Sequence, residues 1–177
     1  MRDQIIAATK RAMEAVWHLR FYANERGYQG IFYYFLIENL KNERLLEVPG
    51  QRLLEIEYQK SARHEMRLRP DIIFHHPNED HREGVTRYNF AVWALKVGAS
   101  DDDATKDFAD LDQMIGDLGY ELGFFINIGA DRDCMDLYRG PFADRLIGGW
   151  TLARDDGVHL SLRPCQAATN DRMANPR

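Results

Sequence analysis

The chain has 177 residues, 45% of them hydrophobic and 29% charged, which suits one domain with a sizeable core and excludes a disordered or fibrous protein. A formal net charge of −5 excludes a general electrostatic pull on nucleic acid, so any such binding needs a local basic patch. The longest apolar run, Ile31 to Ile37, is too short to span a bilayer. Cys134 and Cys165 lie far apart with no CxxC partner, so a cytoplasmic protein with reduced thiols and no membrane partner is expected.

In chain order, Ile5, Ile6, Met13, Val16 and Trp17 recur at helical spacing and predict an amphipathic helix that ends in a turn near Gly27. Tyr28 to Leu40 is apolar almost all round, and its length favours a buried helix over a strand. Pro49-Gly50 is a turn signal, after which Leu53 to Tyr58 alternates as a first strand; a second follows over residues 69 to 75. The polar stretch Pro77 to Thr86 reads as a hairpin-type connection.

In the third strand, Phe90, Val92 and Ala94 share one face and Ala91, Trp93, Leu95 and Val97 the other. Both faces are therefore apolar and the strand is central, with Lys96 breaking the pattern at its end. Ser100 then caps a helix with Asp101, Asp102 and Asp103 in its first turn, where the helix dipole favours acids, and a stripe of Phe108, Leu111, Ile115 and Leu118. Leu122 to Ile128 is a fourth strand, parallel to the third if the intervening helix makes the usual crossover. Beyond a break at Arg139-Gly140-Pro141, a short helix is expected over Phe142 to Ile147. A terminal hairpin follows, of Trp150 to Arg154 and Val158 to Arg163 about Asp155-Asp156-Gly157. A single domain over residues 1–165 and a disordered tail over 166–177 complete the expected organisation.

The chemistry concentrates in two strands, Arg69-Pro70-Asp71-Ile72-Ile73-Phe74 and Phe90-Ala91-Val92-Trp93-Ala94-Leu95-Lys96. Strand side chains alternate, so residues 94 and 96 project together, toward the strand that carries Asp71. An aspartate behind a proline, and an apolar run that ends in a lysine two residues beyond an alanine, resemble the active-site strands of the PD-(D/E)XK nuclease superfamily, over roughly residues 25 to 128. Ala94 stands where that family has its second acid.

The resemblance implies an α/β, restriction-endonuclease-like fold: an αβββαβ core with a central mixed four-stranded sheet flanked by helices, plus an N-terminal helix and a C-terminal hairpin. It also implies that Asp71 ligates Mg²⁺ or Mn²⁺ and that Lys96 positions water or stabilises the transition state. Glu25, in Asn24-Glu25-Arg26-Gly27-Tyr28-Gln29, resembles the family's glutamate on its first core helix, with a glutamine one turn later. Hydrolysing a phosphodiester needs a cation to neutralise charge on the phosphate, and Mg²⁺ takes hard oxygen ligands. With alanine at position 94, weakened metal binding follows unless another group replaces the acid.

Glu38, Glu55 and Glu57 are fallback acids. His64, His75, His76 and His81 form a loose cluster without HxH or HxxxH spacing, and adjacent His75 and His76 point to opposite faces. Lys60, Arg63, Arg67 and Arg69 make a basic segment leading into the Asp71 strand, suited to phosphate contacts, and His75 shares a face with Asp71. Two functions from different classes follow. One is metal-dependent hydrolysis of DNA, impaired by an engineered or natural Ala94. The other is a catalytically inactive nuclease-like module that binds nucleic acid or a protein partner. Family members often act as homodimers, which the resemblance extends to this chain.

Overall fold

The computed structural model describes residues 1–46, 52–56, 70–76 and 89–166. Among these, three α-helices flank a mixed six-stranded sheet, so the chain is an α/β protein. Helix α1 spans Arg2–Ala15, α2 spans Glu25–Asn42 and α3 spans Asp101–Leu118. Strands β1 to β6 are Leu53–Ile56, Ile72–His75, Asn89–Val97, Leu122–Ile128, Leu146–Arg154 and Gly157–Pro164. No helix among the described residues is long and apolar enough to cross a membrane.

The strands lie in sequence order across the sheet. β1, β2 and β3 form an antiparallel meander, and α3 then carries the chain to β4, which runs parallel to β3 with Ala94 beside Phe125 and Lys96 beside Asn127. From Ala91 onward the apolar faces of β3 are sorted as alternation predicts, whereas Phe90, expected beside Val92 and Ala94, packs on the Ala91 side against Phe74, where the β2–β3 register shifts between Phe74 and His75. Ala91, Trp93 and Leu95 join Phe124 and the buried Ile5, Ala12, Phe32 and Leu36 of α1 and α2. Val92 and Ala94 face the other way, with Ile73 and Phe125, onto Ala104, Phe108 and Leu111 of α3. Trp93 stacks on Phe124 with ring centroids 5.0 Å apart. Its indole N–H, which would be costly to bury unpaired, donates to Thr9 Oγ1 at 3.3 Å.

Three expectations about the elements are corrected. The first helix ends at Ala15 and not near Gly27, which instead lies in the first turn of α2. Asn24 sets the start of α2, because its Oδ1 accepts the Gly27 N–H at 2.6 Å and caps the new helix. A Cβ at Gly27 would sit 2.9 Å from that same oxygen, so glycine admits the cap.

The short helix expected over Phe142 to Ile147 shrinks to a single 3₁₀ turn, Ala143–Arg145. Leu146 and Ile147 are drawn instead into parallel pairing with Gly123 and Phe124 of β4. The terminal hairpin is real, turning at Asp155-Asp156, but β5 extends the sheet rather than standing apart, so the sheet has six strands and not four. Gly148 allows this: a Cβ there would lie 2.2 Å from Met135 Cγ, which packs directly over the strand. The connection Pro77 to Thr86 and the tail beyond Gln166 lie outside the described residues.

Candidate active site

Pro70 and Asp71 come just before β2 rather than inside it, as suits a proline with no N–H to give to a sheet ladder. The β2–β3 register pairs Ile72 with Trp93, and continuing it by one residue sets Asp71 opposite Ala94. Asp71 is anchored there from both sides. Its Oδ2 accepts the Leu95 N–H at 2.7 Å, and its main-chain carbonyl accepts Gln29 Nε2 at 2.9 Å. Gln29 is itself buried, one turn along α2 from Glu25, so the helix start and the strand start are held together.

Lys96 Nζ lies 3.7 Å from Glu25 Oε2, both side chains about one-third exposed, at the rim of this site. The structure therefore brings together Asp71, Lys96 and Glu25, residues far apart in sequence, with Ala94 between them on the strand. Asp71 and Ala94 also line a small pocket of about 50 Å³, together with Pro70, Val92, Trp93, Asp107, Asp110, Leu111 and Met114. A larger open depression of about 260 Å³, lined by Arg26, Gln29, Gly30 and Ile56, contains no carboxylate, so the interacting acids belong to the smaller one.

Asp107 is the residue that sequence reasoning missed. Asp103, Asp107 and Asp110 follow an i, i+4, i+7 line beside the apolar stripe of α3, which faces the sheet, and that spacing was the available signal. Asp103 is committed elsewhere, in a reciprocal capping box with Ser100. Asp107 and Asp110 turn toward the pocket.

The electrostatics follow from this enclosure. Burial pushes the Asp71 carboxyl up to about 7; Glu25 and Asp107 add to the rise, while the Leu95 N–H and Lys96 oppose it. Burial likewise raises Asp107 to about 6, helped by Asp110 and Glu25 and opposed by Lys96. Asp110 is raised by burial as well. For Lys96, burial works against the charge, but Glu25, Asp107, Asp103 and Asp71 outweigh it and hold the ammonium above its ordinary range. The result is one firmly charged lysine beside two carboxyls, Asp71 and Asp107, raised to about 7 and about 6, a perturbation found both at functional sites and in structural ion-pair networks.

The remaining candidates fall away from this pocket. His75 sits at the far end of β2 from Asp71, bonded through Nε2 to Glu55, and does not line the pocket. Glu38 pairs with Lys41 on the exposed side of α2. Lys60, Arg63, Arg67 and Arg69, with Glu57, His64 and His81, lie outside the described residues.

Among the described residues, no group of three or more His, Cys, Asp or Glu is arranged to hold a metal ion, so these side chains do not form a closed cage. Mg²⁺ does not require one, since it commonly takes one or two protein carboxylates and completes its shell with water and phosphate oxygens. Asp71 and Asp107, lining one pocket beside the space left by Ala94, fit that open kind of site. No protein-family model, curated protein or solved structure matches the chain.

Proposed function

We propose that the chain is a nuclease-like domain of the PD-(D/E)XK type, with a restriction-endonuclease-like core, that hydrolyses DNA phosphodiesters weakly and with Mg²⁺ or Mn²⁺. The observation that carries this reading is the placement of Asp71, Ala94 and Asp107 around one pocket, with the Lys96 and Glu25 pair at its rim. The antiparallel meander β1 to β3, the α3 crossover and the parallel β4 support the fold assignment. Asp71 and Asp107 are the groups that would hold the cation, the second compensating in part for the missing acid at position 94. When bound, that cation would neutralise charge on the phosphate and acidify a water molecule.

The chain's own groups do the rest. Lys96 is kept protonated by the surrounding acids and stabilises negative charge that develops on the phosphate oxygens. Glu25 fixes the direction of the Lys96 ammonium. Asp71, anchored by Leu95 and Gln29, presents its carboxyl at a defined point, and with its value raised to about 7 it is free of its proton, and so able to hold the cation, above neutral pH.

A second reading, an inactive nuclease-like module that binds nucleic acid or a protein partner, draws support from Ala94 and from the absence of a three-ligand group among the described residues. Cleavage of plasmid and single-stranded DNA with Mn²⁺ separates the two. The first reading predicts weak cleavage by the chain as it stands, more by Ala94→Glu, and none by Asp71→Ala. Cleavage by Ala94→Glu alone favours the inactive module, and no cleavage by either above the Asp71→Ala background removes the nuclease reading.

A further inference from the structure

Lys96 is the most loosely held charge in the candidate site. Its Nζ stands 3.7 Å from Glu25 Oε2, beyond hydrogen-bond length, and it makes no hydrogen bond among the described residues. Even the more exposed pair of Lys41 and Glu38 closes to 3.1 Å. The ammonium is drawn by other acids as well: Asp107, Asp103 and Asp71 act on it besides Glu25, and together they outweigh the effect of burial. Asp107 lines the pocket with no hydrogen bond or ion pair of its own among the described residues.

The position of Lys96 in its strand gives it a route to those acids. By alternation it shares the α3 face of β3 with Val92 and Ala94, both of which line the pocket with Asp71 and Asp107. Lys96 itself does not line that pocket, being paired instead with Glu25 at the rim. Ala94 leaves the way in open. Positions 94 and 96 are about 7 Å apart along the strand, a distance that a flexible four-carbon stem covers. The pocket, about 50 Å³, exceeds the roughly 15 Å³ that one water-sized group needs, and an ammonium is such a group.

We propose that the Lys96 ammonium has a second seat, beside Ala94 between Asp71 and Asp107, where it takes the place of the divalent cation, and that Glu25 is the positioning residue that keeps it at the rim. This rests on the cation site proposed above. An ammonium among carboxylates meets the same demand for positive charge as a metal ion, without its Lewis acidity. The chain thus carries its own competitor for the site. Cation and ammonium exclude each other there, so the fraction of molecules with Lys96 at the rim sets the apparent affinity for the cation. A glutamate at position 94 would fill the seat, so the device depends on the alanine.

The test is a double-mutant cycle on the full chain at pH 8, comparing the parent, Glu25→Gln, Lys96→Met and the double variant. Bound Mn²⁺ is read from the electron paramagnetic resonance of the free ion, so cleavage is not required. Glu25→Gln releases Lys96 into the pocket and weakens Mn²⁺ binding about tenfold. In the Lys96→Met background the same change weakens it by at most about twofold, because no ammonium remains to be released. Lys96→Met alone binds at least as tightly as the parent. Circular dichroism confirms that the variants fold.

If Glu25 acts only through its own charge or as a cation ligand, Glu25→Gln weakens binding equally in both backgrounds. That result overturns the inference and leaves the cation site standing, as does weaker binding by Lys96→Met than by the parent. Mn²⁺ binding by none of the four proteins overturns the cation site, and the inference with it.

Discussion

Two aspartates drawn out of solvent in this molecule meet opposite fates. Asp133, after β4, is almost fully buried, and burial alone would raise it. Arg163 of β6 overcomes that by donating Nε to Oδ2 at 2.6 Å and Nη2 to Oδ1 at 3.1 Å, and with the Met135 N–H it holds the carboxyl below the ordinary range. Asp71 is given one backbone N–H and a lysine already engaged by Glu25, and its carboxyl rises to about 7. An acid that serves architecture is supplied with a bidentate cation. An acid left under-compensated beside a second carboxyl is a strained arrangement, of the kind proteins retain where a site needs it.

The contrast breaks most sharply at Asp71. Asp71→Asn lowers metal-dependent cleavage on the order of a hundredfold or more, as expected for removal of a ligand. The same change increases stability at pH 8. An acid whose folded value is raised from 3.8 to about 7 keeps its proton where the unfolded chain has lost it, so its contribution is most favourable below about pH 4. That contribution declines as pH rises to about 7 and is flat above. The full shift sets a ceiling of about 4 kcal/mol, and a gain on the order of 2 kcal/mol by urea denaturation is expected.

Arg163→Gln should do the reverse. It strands Asp133 and costs on the order of 2 kcal/mol of stability, while cleavage by the folded protein is unchanged. Asp107→Asn comes next, with cleavage reduced about tenfold and a smaller gain in stability, because its carboxyl is raised less, to about 6. The pH profile of cleavage gives the finest distinction. Protons compete with the cation at Asp71 and Asp107, so the rate climbs between about pH 6 and about pH 8, whereas Arg163→Gln leaves the profile in place.

Much of this was legible in the residues, and the gaps have physical causes. The alternation of β3 forecast both of its apolar faces from Ala91 onward and missed Phe90, which a register shift against β2 turns to the other side, and the prolyl-aspartate and the lysine near the strand end marked two strands that do meet, with Glu25 beside Lys96. Asp107 escaped because an acid beside an apolar stripe reads the same whether it faces water or a pocket; the approach of Pro70 and Asp71, just before β2, and of β3 encloses it. The joining of β5 to the sheet was hidden because its run is interrupted by Gly148-Gly149, whose use, room for Met135 at Gly148 and for Leu162 at Gly149, depends on segments that pack against the strand. Parallel pairing of β4 and β5 also leaves no hairpin signature in the sequence.

Calorimetric titration with Mn²⁺ tests the central claim most directly, comparing the parent chain, Ala94→Glu and Asp71→Asn at pH 8. Weak binding by the parent, at least tenfold tighter binding by Ala94→Glu, and none by Asp71→Asn is the predicted result. Indistinguishable behaviour of all three proteins would contradict a cation site built on Asp71.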